Sequence, residues 1–254
     1  MLFLALATTG AAASTTPNSA TAATPAAAPA DRAPANPHLT AAPAVSHTPP
    51  RKGQHGDQTW AGYAVISSGP YTRIWGSWVI PAMNCSRGGG DASPWVGIDG
   101  WDNDTVEQIG VDLDCYRGRG SYHPWVEMYP AASDYFRGPI RAGDRLTAYV
   151  TASGSTWRLT ESDTTRGWTR TFYRTPKNPP RQSSAEAIVE DVGSGSVPPV
   201  PDFHTVRFSG ITVNSKSFAS AGSVQRTTLE RGSTPLSSES SLSGGNFSVS
   251  WQHN

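Results

Sequence analysis

Long apolar runs are missing from this chain of 254 residues. Nothing approaches the roughly 18–20 consecutive apolar residues that a membrane-spanning helix requires, so an integral membrane protein is excluded. Charge is also scarce: Lys, Arg, Asp and Glu make up 16% of the residues, and the formal net charge is +0. Setting aside everything before Gln54 removes Arg32, Arg51, Lys52 and Asp31, which leaves a faint acidic balance. Nucleic-acid binding leans on clustered Lys and Arg, and no such cluster is present. Cysteine is limited to Cys85 and Cys115, neither in a CxxC or CxxH pattern that would hold zinc.

Familiar catalytic signatures are absent too. There is no GxSxG elbow, no pair of Asp-Thr/Ser-Gly words, no HExxH, no EF-hand loop, no Walker loop and no dinucleotide glycine fingerprint. Of the six histidines, His38, His47, His55 and His253 lie in or beside the tails, leaving His123 and His204 with no spacing that demands a serine partner. A serine, aspartic or zinc hydrolase is therefore poorly supported.

What is present divides into three parts. Residues 1–13 carry the apolar run Leu2–Ala7 and then Ala11-Ala12-Ala13, which reads as the core and cleavage zone of a secretory signal peptide. No basic residue precedes that run, as in a truncated leader or one that begins upstream. Residues 14–53 are dominated by Ala, Pro, Thr and Ser. Such a segment buries too little apolar surface to offset its ordering entropy, and it is expected to be a disordered propeptide or linker. Residues 54–254 form the domain. In an exported protein, Cys85 and Cys115 are expected to form one disulfide. It would close a loop of about thirty residues and stabilise by roughly 3–4 kcal/mol.

From Gln58 onward the chain is a series of short alternating segments. TWAGYAVIS, RIWGSWVIP, EQIGVDLD, RLTAYVTAS, AEAIVEDV and TVRFSGITV are rich in Trp, Tyr, Val and Thr and punctuated by Gly, Pro, Asn or Asp. This predicts an all-β, antiparallel sandwich or barrel with little helix. Side chains alternate across a strand. Gln108, Gly110 and Asp112 therefore share one face, with Ile109, Val111 and Leu113 opposite. Glu186, Ile188 and Glu190 share a face against Ala187 and Val189. His123, Trp125, Glu127 and Tyr129 line another. Asp99, Asp112, Glu127 and Glu190 all sit in apolar β segments, where poor hydration raises a carboxyl pKa. A lone acid of this kind usually just satisfies backbone or tyrosine donors; four of them in four strands suggest a site.

Four words, WVGIDG at Trp95–Gly100, QxGVD at Gln108–Asp112, YxxWxExYP at Tyr122–Pro130 and IVED at Ile188–Asp191, resemble the glutamic peptidases (eqolisins). The resemblance implies a jelly-roll-like (lectin-like) β-sandwich of two large sheets and a secreted acid endopeptidase insensitive to pepstatin. It implies Gln108 and Glu190 as the catalytic dyad, with Trp95, Asp99, Asp112, Trp125, Glu127 and Tyr129 supporting it or lining the substrate groove. Polypeptide substrates, no cofactor, no metal, no nucleic-acid or membrane partner and a monomer are expected. Two departures stand out: fungal members are strongly acidic in composition, and the family commonly carries Trp at the position of Ala187. A carbohydrate-binding module or glycosidase on a related sandwich is the competing reading, because aromatic residues on a concave sheet also stack sugars. Glycoside hydrolysis generally needs a second carboxylate where this chain has the amide of Gln108.

Overall fold

The computed structural model describes residue 47, residues 58–192 and residues 200–253. The expected leader at 1–13, residues 54–57 and all of 14–53 except His47 lie outside the described residues. Strands run in the order β1 (Trp60–Ile66), β2 (Arg73–Val79), β3 (Gly90–Ile98), β4 (Val106–Tyr116), β5 (Arg119–Tyr129) and β6 (Asp134–Tyr135). Next come β7 (Arg145–Ser153), β8 (Thr156–Asp163), β9 (Trp168–Arg174), β10 (Ser184–Asp191) and β11 (Thr205–Val213). The chain ends in β12 (Lys216–Ser217), β13 (Ser223–Thr227), β14 (Glu230–Arg231), β15 (Thr234–Pro235), β16 (Ser237–Glu239) and β17 (Phe247–Trp251). Helix among the described residues is confined to two short 3-10 turns, as the lack of a 3.6-residue period predicts.

One sheet has the order β13-β1-β10-β3-β4-β5-β6 and the other β16-β17-β11-β2-β7-β8-β9. Their pairings are antiparallel, so the expected sandwich of two large sheets is what forms. The core between them holds Ile74, Trp78, Val96, Ile109, Val111, Leu113, Ala187, Val189, Leu159 and Phe208. Of these, Ile109, Val111, Leu113, Ala187 and Val189 occupy the apolar positions that alternation along β4 and β10 assigned to one face. Strand β10 is buried along its whole length, because a second apolar cluster covers its other face. That cluster comprises Trp60, Trp95, Val106, Trp125 and Ile188. An outer strand such as β9 instead alternates between covered and exposed positions. Among the described residues, no helix is long and apolar enough to cross a membrane.

Cys85 and Cys115 form the expected disulfide across a separation of 30 residues. It joins the turn before β3 to the end of β4, so the enclosed loop contains Trp95 and Gln108. Replacing both cysteines by serine is expected to lower unfolding free energy by roughly 3–4 kcal/mol, read as the shift of a denaturant midpoint. An unchanged midpoint would mean that the hydrogen-bonded sheet already constrains this loop.

Candidate active site

The face of the first sheet turned away from the core is built from β10, β3, β4 and β5, adjacent in that order. Gln108 on β4 lies opposite Gly97 on β3 and Glu127 on β5. A Cβ at Gly97 would stand 3.0 Å from the Cβ of Gln108, so glycine leaves the amide its room. Gly110 lies between Trp95 and Trp125 in register. A Cβ there would come within 2.5 Å of both the Pro94 carbonyl oxygen and the Trp95 Cβ. Gly97 and Gly110 thus leave room for the side chains of Gln108 and Trp95 on this face.

Glu190 on β10 is buried, and the indole Nε1 of Trp95 donates to its Oε2 at 2.9 Å. Trp60 packs edge-on against Trp95, with ring centroids 4.8 Å apart. Burial drives the Glu190 pKa well above the ordinary carboxylate value; the Trp95 N–H opposes the shift, while Asp112 and Asp191 add to it. The Gln108 Nε2 donates to Glu127 Oε2 at 2.6 Å, which fixes the orientation of the amide. The Gln108 Oε1 has no hydrogen-bond partner among the described residues. Asp112 accepts a 2.5 Å bond from the hydroxyl of Tyr135. Its pKa is raised, chiefly by burial, although His47 and the Tyr135 bond act against that. Trp125 is held by its own donor bond to Ser93 Oγ at 2.9 Å.

One residue from outside the sheets completes the group. His47 is fully buried and stacks on Trp125 with ring centroids 3.7 Å apart and planes 14° apart. Its Nδ1 lies 3.3 Å from Glu190 Oε2 and its Nε2 lies 3.6 Å from Asp112 Oδ1, neither in hydrogen-bonding geometry. Its main-chain carbonyl accepts from Gln108 Nε2 at 3.3 Å. An amide donor and a carboxyl on different strands therefore converge on one residue from outside the sheets. That arrangement can receive a peptide carbonyl beside a potential general base. The model of the peptidase A4 family matches residues 58–251, spanning both sheets. This chain is an eqolisin, a member of the glutamic peptidase family. It is a peptide-bond hydrolase.

Solved eqolisins share the architecture. Scytalidoglutamic peptidase, crystallised with a peptide-based transition-state analogue, superposes with a TM-score of 0.66 and 26% identity, covering 76% of this chain and 98% of that one. Aspergilloglutamic peptidase from Aspergillus niger is 30% identical, with a TM-score of 0.54, covering 64% of this chain and 99% of that one. The eqolisin SCP-B, solved with the tripeptide Ala-Ile-His, shows the same fold at 23% identity and a TM-score of 0.62, covering 76% of this chain and 98% of that one. A search among curated protein sequences gives no match.

Most of the residues expected at an eqolisin site meet on this face: Gln108, Glu190, Trp95, Asp112, Trp125 and Glu127. Tyr129 is half-buried at the end of β5, opposite Val106, and packs against the tryptophan cluster. Asp99 is placed differently. It adopts a positive φ of 70°, and its carboxylate accepts from the backbone N–H groups of Gln182 at 2.6 Å and Ser183 at 2.9 Å and from Asn103 Nδ2 at 3.0 Å. It ties the loop after β3 to the segment entering β10 and bonds to neither Gln108 nor Glu190. Ala187, the departure from the family pattern, points into the core between the sheets and away from the cleft.

Sequence reasoning missed three contributors. Ser93 and Tyr135 are polar residues in ordinary words, and only the strand register brings them to Trp125 and Asp112. His47 sits in an Ala/Pro/Thr-rich stretch expected to be disordered, and no local pattern separates it from His38 or His55.

Proposed function

We propose that this eqolisin is a secreted endopeptidase that hydrolyses polypeptides with Gln108 and Glu190. The observation that carries this reading is the convergence of both side chains on the single residue His47. Glu190, once ionised, takes a proton from a water that attacks the scissile carbonyl, then returns it to the leaving amine. The Gln108 amide donates to the oxyanion as it forms. Amide donors of this kind contribute on the order of 3 kcal/mol to transition-state stabilisation. Glu127 holds that amide in the donating orientation, and Trp95 keeps the Glu190 carboxyl aimed. Trp125 and Tyr129 supply flat apolar walls for substrate side chains. The leader-like residues 1–13 and the disulfide support secretion.

The working pH depends on the hydration of Glu190. A general base must be ionised, so activity falls as pH drops through the Glu190 pKa. In the closed cleft burial holds that pKa well above the usual 4.5. Opening the cleft to water and substrate lowers it, and we expect an acidic working range. The test is cleavage of a denatured protein from pH 2 to pH 8 with pepstatin present. Pepstatin-resistant cleavage with an acidic optimum is the expected result. An optimum near neutrality would mean that Glu190 keeps its closed-cleft pKa during turnover, and no cleavage by correctly trimmed protein would overturn the proposal.

A further inference from the structure

We propose that the outward face of the second sheet carries a separate binding site, for a saccharide built of uronic acids. The site is independent of the Gln108–Glu190 reading, because it lies on the other sheet and shares no residue with the cleft. Ile74, Ala148, Val150 and Leu159 point into the core. Alternation along β2, β7 and β8 therefore turns Arg73, Trp75, Tyr149, Thr151 and Arg158 outward. Arg73, Thr151 and Arg158 stand side by side across these three strands, and Trp75 and Tyr149 form the neighbouring pair. With Thr212 and Ser215 they line a hollow of about 380 Å³, within the size range of small-ligand sites. A register shift in β11 between Ser209 and Thr212 brings Gly210 beside Trp75. A Cβ at Gly210 would come within 2.8 Å of Trp75 Cζ3, so the glycine leaves the indole its room.

Three features define the ligand. The first is charge. Arg158 lies over the Tyr149 ring, 4.8 Å from its centroid, and among the described residues neither Arg158 nor Arg73 pairs with a carboxylate. The acids of these strands are turned the other way. Glu161 is in register with Ala148, Asp163 with Leu146 and Glu239 with Val249, all of them core positions. An anion on the outward face thus meets guanidinium groups with no competing carboxylate from the strands beneath, and planar guanidinium forks match a carboxylate with two parallel bonds. The second feature is hydroxyl density. Thr151 Oγ1 is buried and has no hydrogen-bond partner among the described residues, and Thr212 and Ser215 line the same hollow. Short neutral donors and acceptors of this kind suit a ligand rich in hydroxyls. The third is the half-buried Trp75 ring, an apolar surface for the C–H face of a pyranose. Arg145 and Arg207 flank Val79 at the other end of β2. That end is roughly 20 Å from Arg73 at about 3.3 Å per residue, so the face suits a run of several acidic sugars.

The test titrates hexagalacturonate into the full-length chain by calorimetry at neutral pH, where its carboxyls are ionised. One saturable site per chain is expected. Arg73 and Arg158 are exposed, and replacing either by alanine should weaken binding about tenfold, the effect of one charge-assisted hydrogen bond. The methyl-esterified hexamer, with the same rings and no charge, should also bind at least about tenfold more weakly. No binding by wild type, unchanged affinity in both arginine variants, or equal binding of the ester would overturn the site. Tighter binding of a single-stranded oligonucleotide of equal charge would overturn it too, marking a surface that reads phosphate. The outcome is separable from that of the cleft: Glu190→Gln should bind the hexamer as wild type does, and both arginine variants should cleave peptide at the wild-type rate. Absence of peptide cleavage with hexamer binding intact would strike the peptidase reading and support the second site.

Discussion

Glu190→Gln is expected to remove proteolysis, with kcat/KM falling on the order of 10²–10⁴-fold while the protein stays folded. The substitution keeps the shape of the side chain and leaves an oxygen for the Trp95 indole, whose bond to Glu190 Oε2 is 2.9 Å. It also removes a buried ionisable group, so stability should be unchanged or slightly higher. Gln108→Ala should cost less, on the order of 10²–10³-fold, because it removes one oxyanion donor and leaves the base. The two losses should not add, since base and donor act on the same tetrahedral species. Steady-state kinetics on the trimmed enzyme, with a melting curve for each variant, checks both effects. A folded Glu190→Gln enzyme with wild-type kcat/KM would remove Glu190 from the chemistry.

The fold should be most stable in acid and lose stability as pH rises. Burial raises the pKa of Glu107 to about 9 and that of Asp91 to about 8, and it drives those of Glu161 and Glu186 well above the ordinary value. Glu107, Glu161 and Glu186 have no hydrogen-bond partner for either carboxyl oxygen among the described residues. Each group binds its proton more tightly in the folded than in the unfolded chain. Between the unfolded and folded pKa values the folded state therefore carries more protons, and stability falls with rising pH. The window opens near pH 4.5 and for Glu107 closes near pH 9. Every tenfold difference in proton affinity between the two states is worth about 1.4 kcal/mol, so the combined loss is on the order of several kcal/mol. Denaturant unfolding from pH 3 to pH 10 is the measurement, and Glu107→Gln should flatten the profile. A midpoint that rises with pH would show that these carboxyls are ionised in the fold. An acid preference of this origin needs no excess of surface acid, which accords with the balanced composition of the chain.

The sandwich was legible because alternation survives in β2, β4, β7 and β11, where one face meets the core. The tryptophan cluster was legible only in part. Trp95 and Trp125 lie in words shared with the family, whereas Trp60 joins them through the pairing of β1 with β10, which no local word encodes. Asp99 illustrates the limit: an acid in an apolar segment reads as a site residue, but a positive φ and a loop's amide groups turned it into a brace. His47 was hidden for the opposite reason. Its neighbours carry no pattern, and the partner that orders it is a cleft assembled from β4, β5 and β10.

The insertion of β10 between β1 and β3 bears on how the molecule acquires its activity. Its hydrogen-bonding partners, Trp60–Ile66 and Ala92–Ile98, lie far back along the chain. Such non-local pairing is slow to form. Gln108 and its brace Glu127 belong to adjacent strands and can be in place early, but Glu190 arrives only when the last central strand enters the gap. Folding intermediates would then be enzymatically silent. On refolding, regain of cleavage by the trimmed enzyme should lag behind the signal of sheet formation.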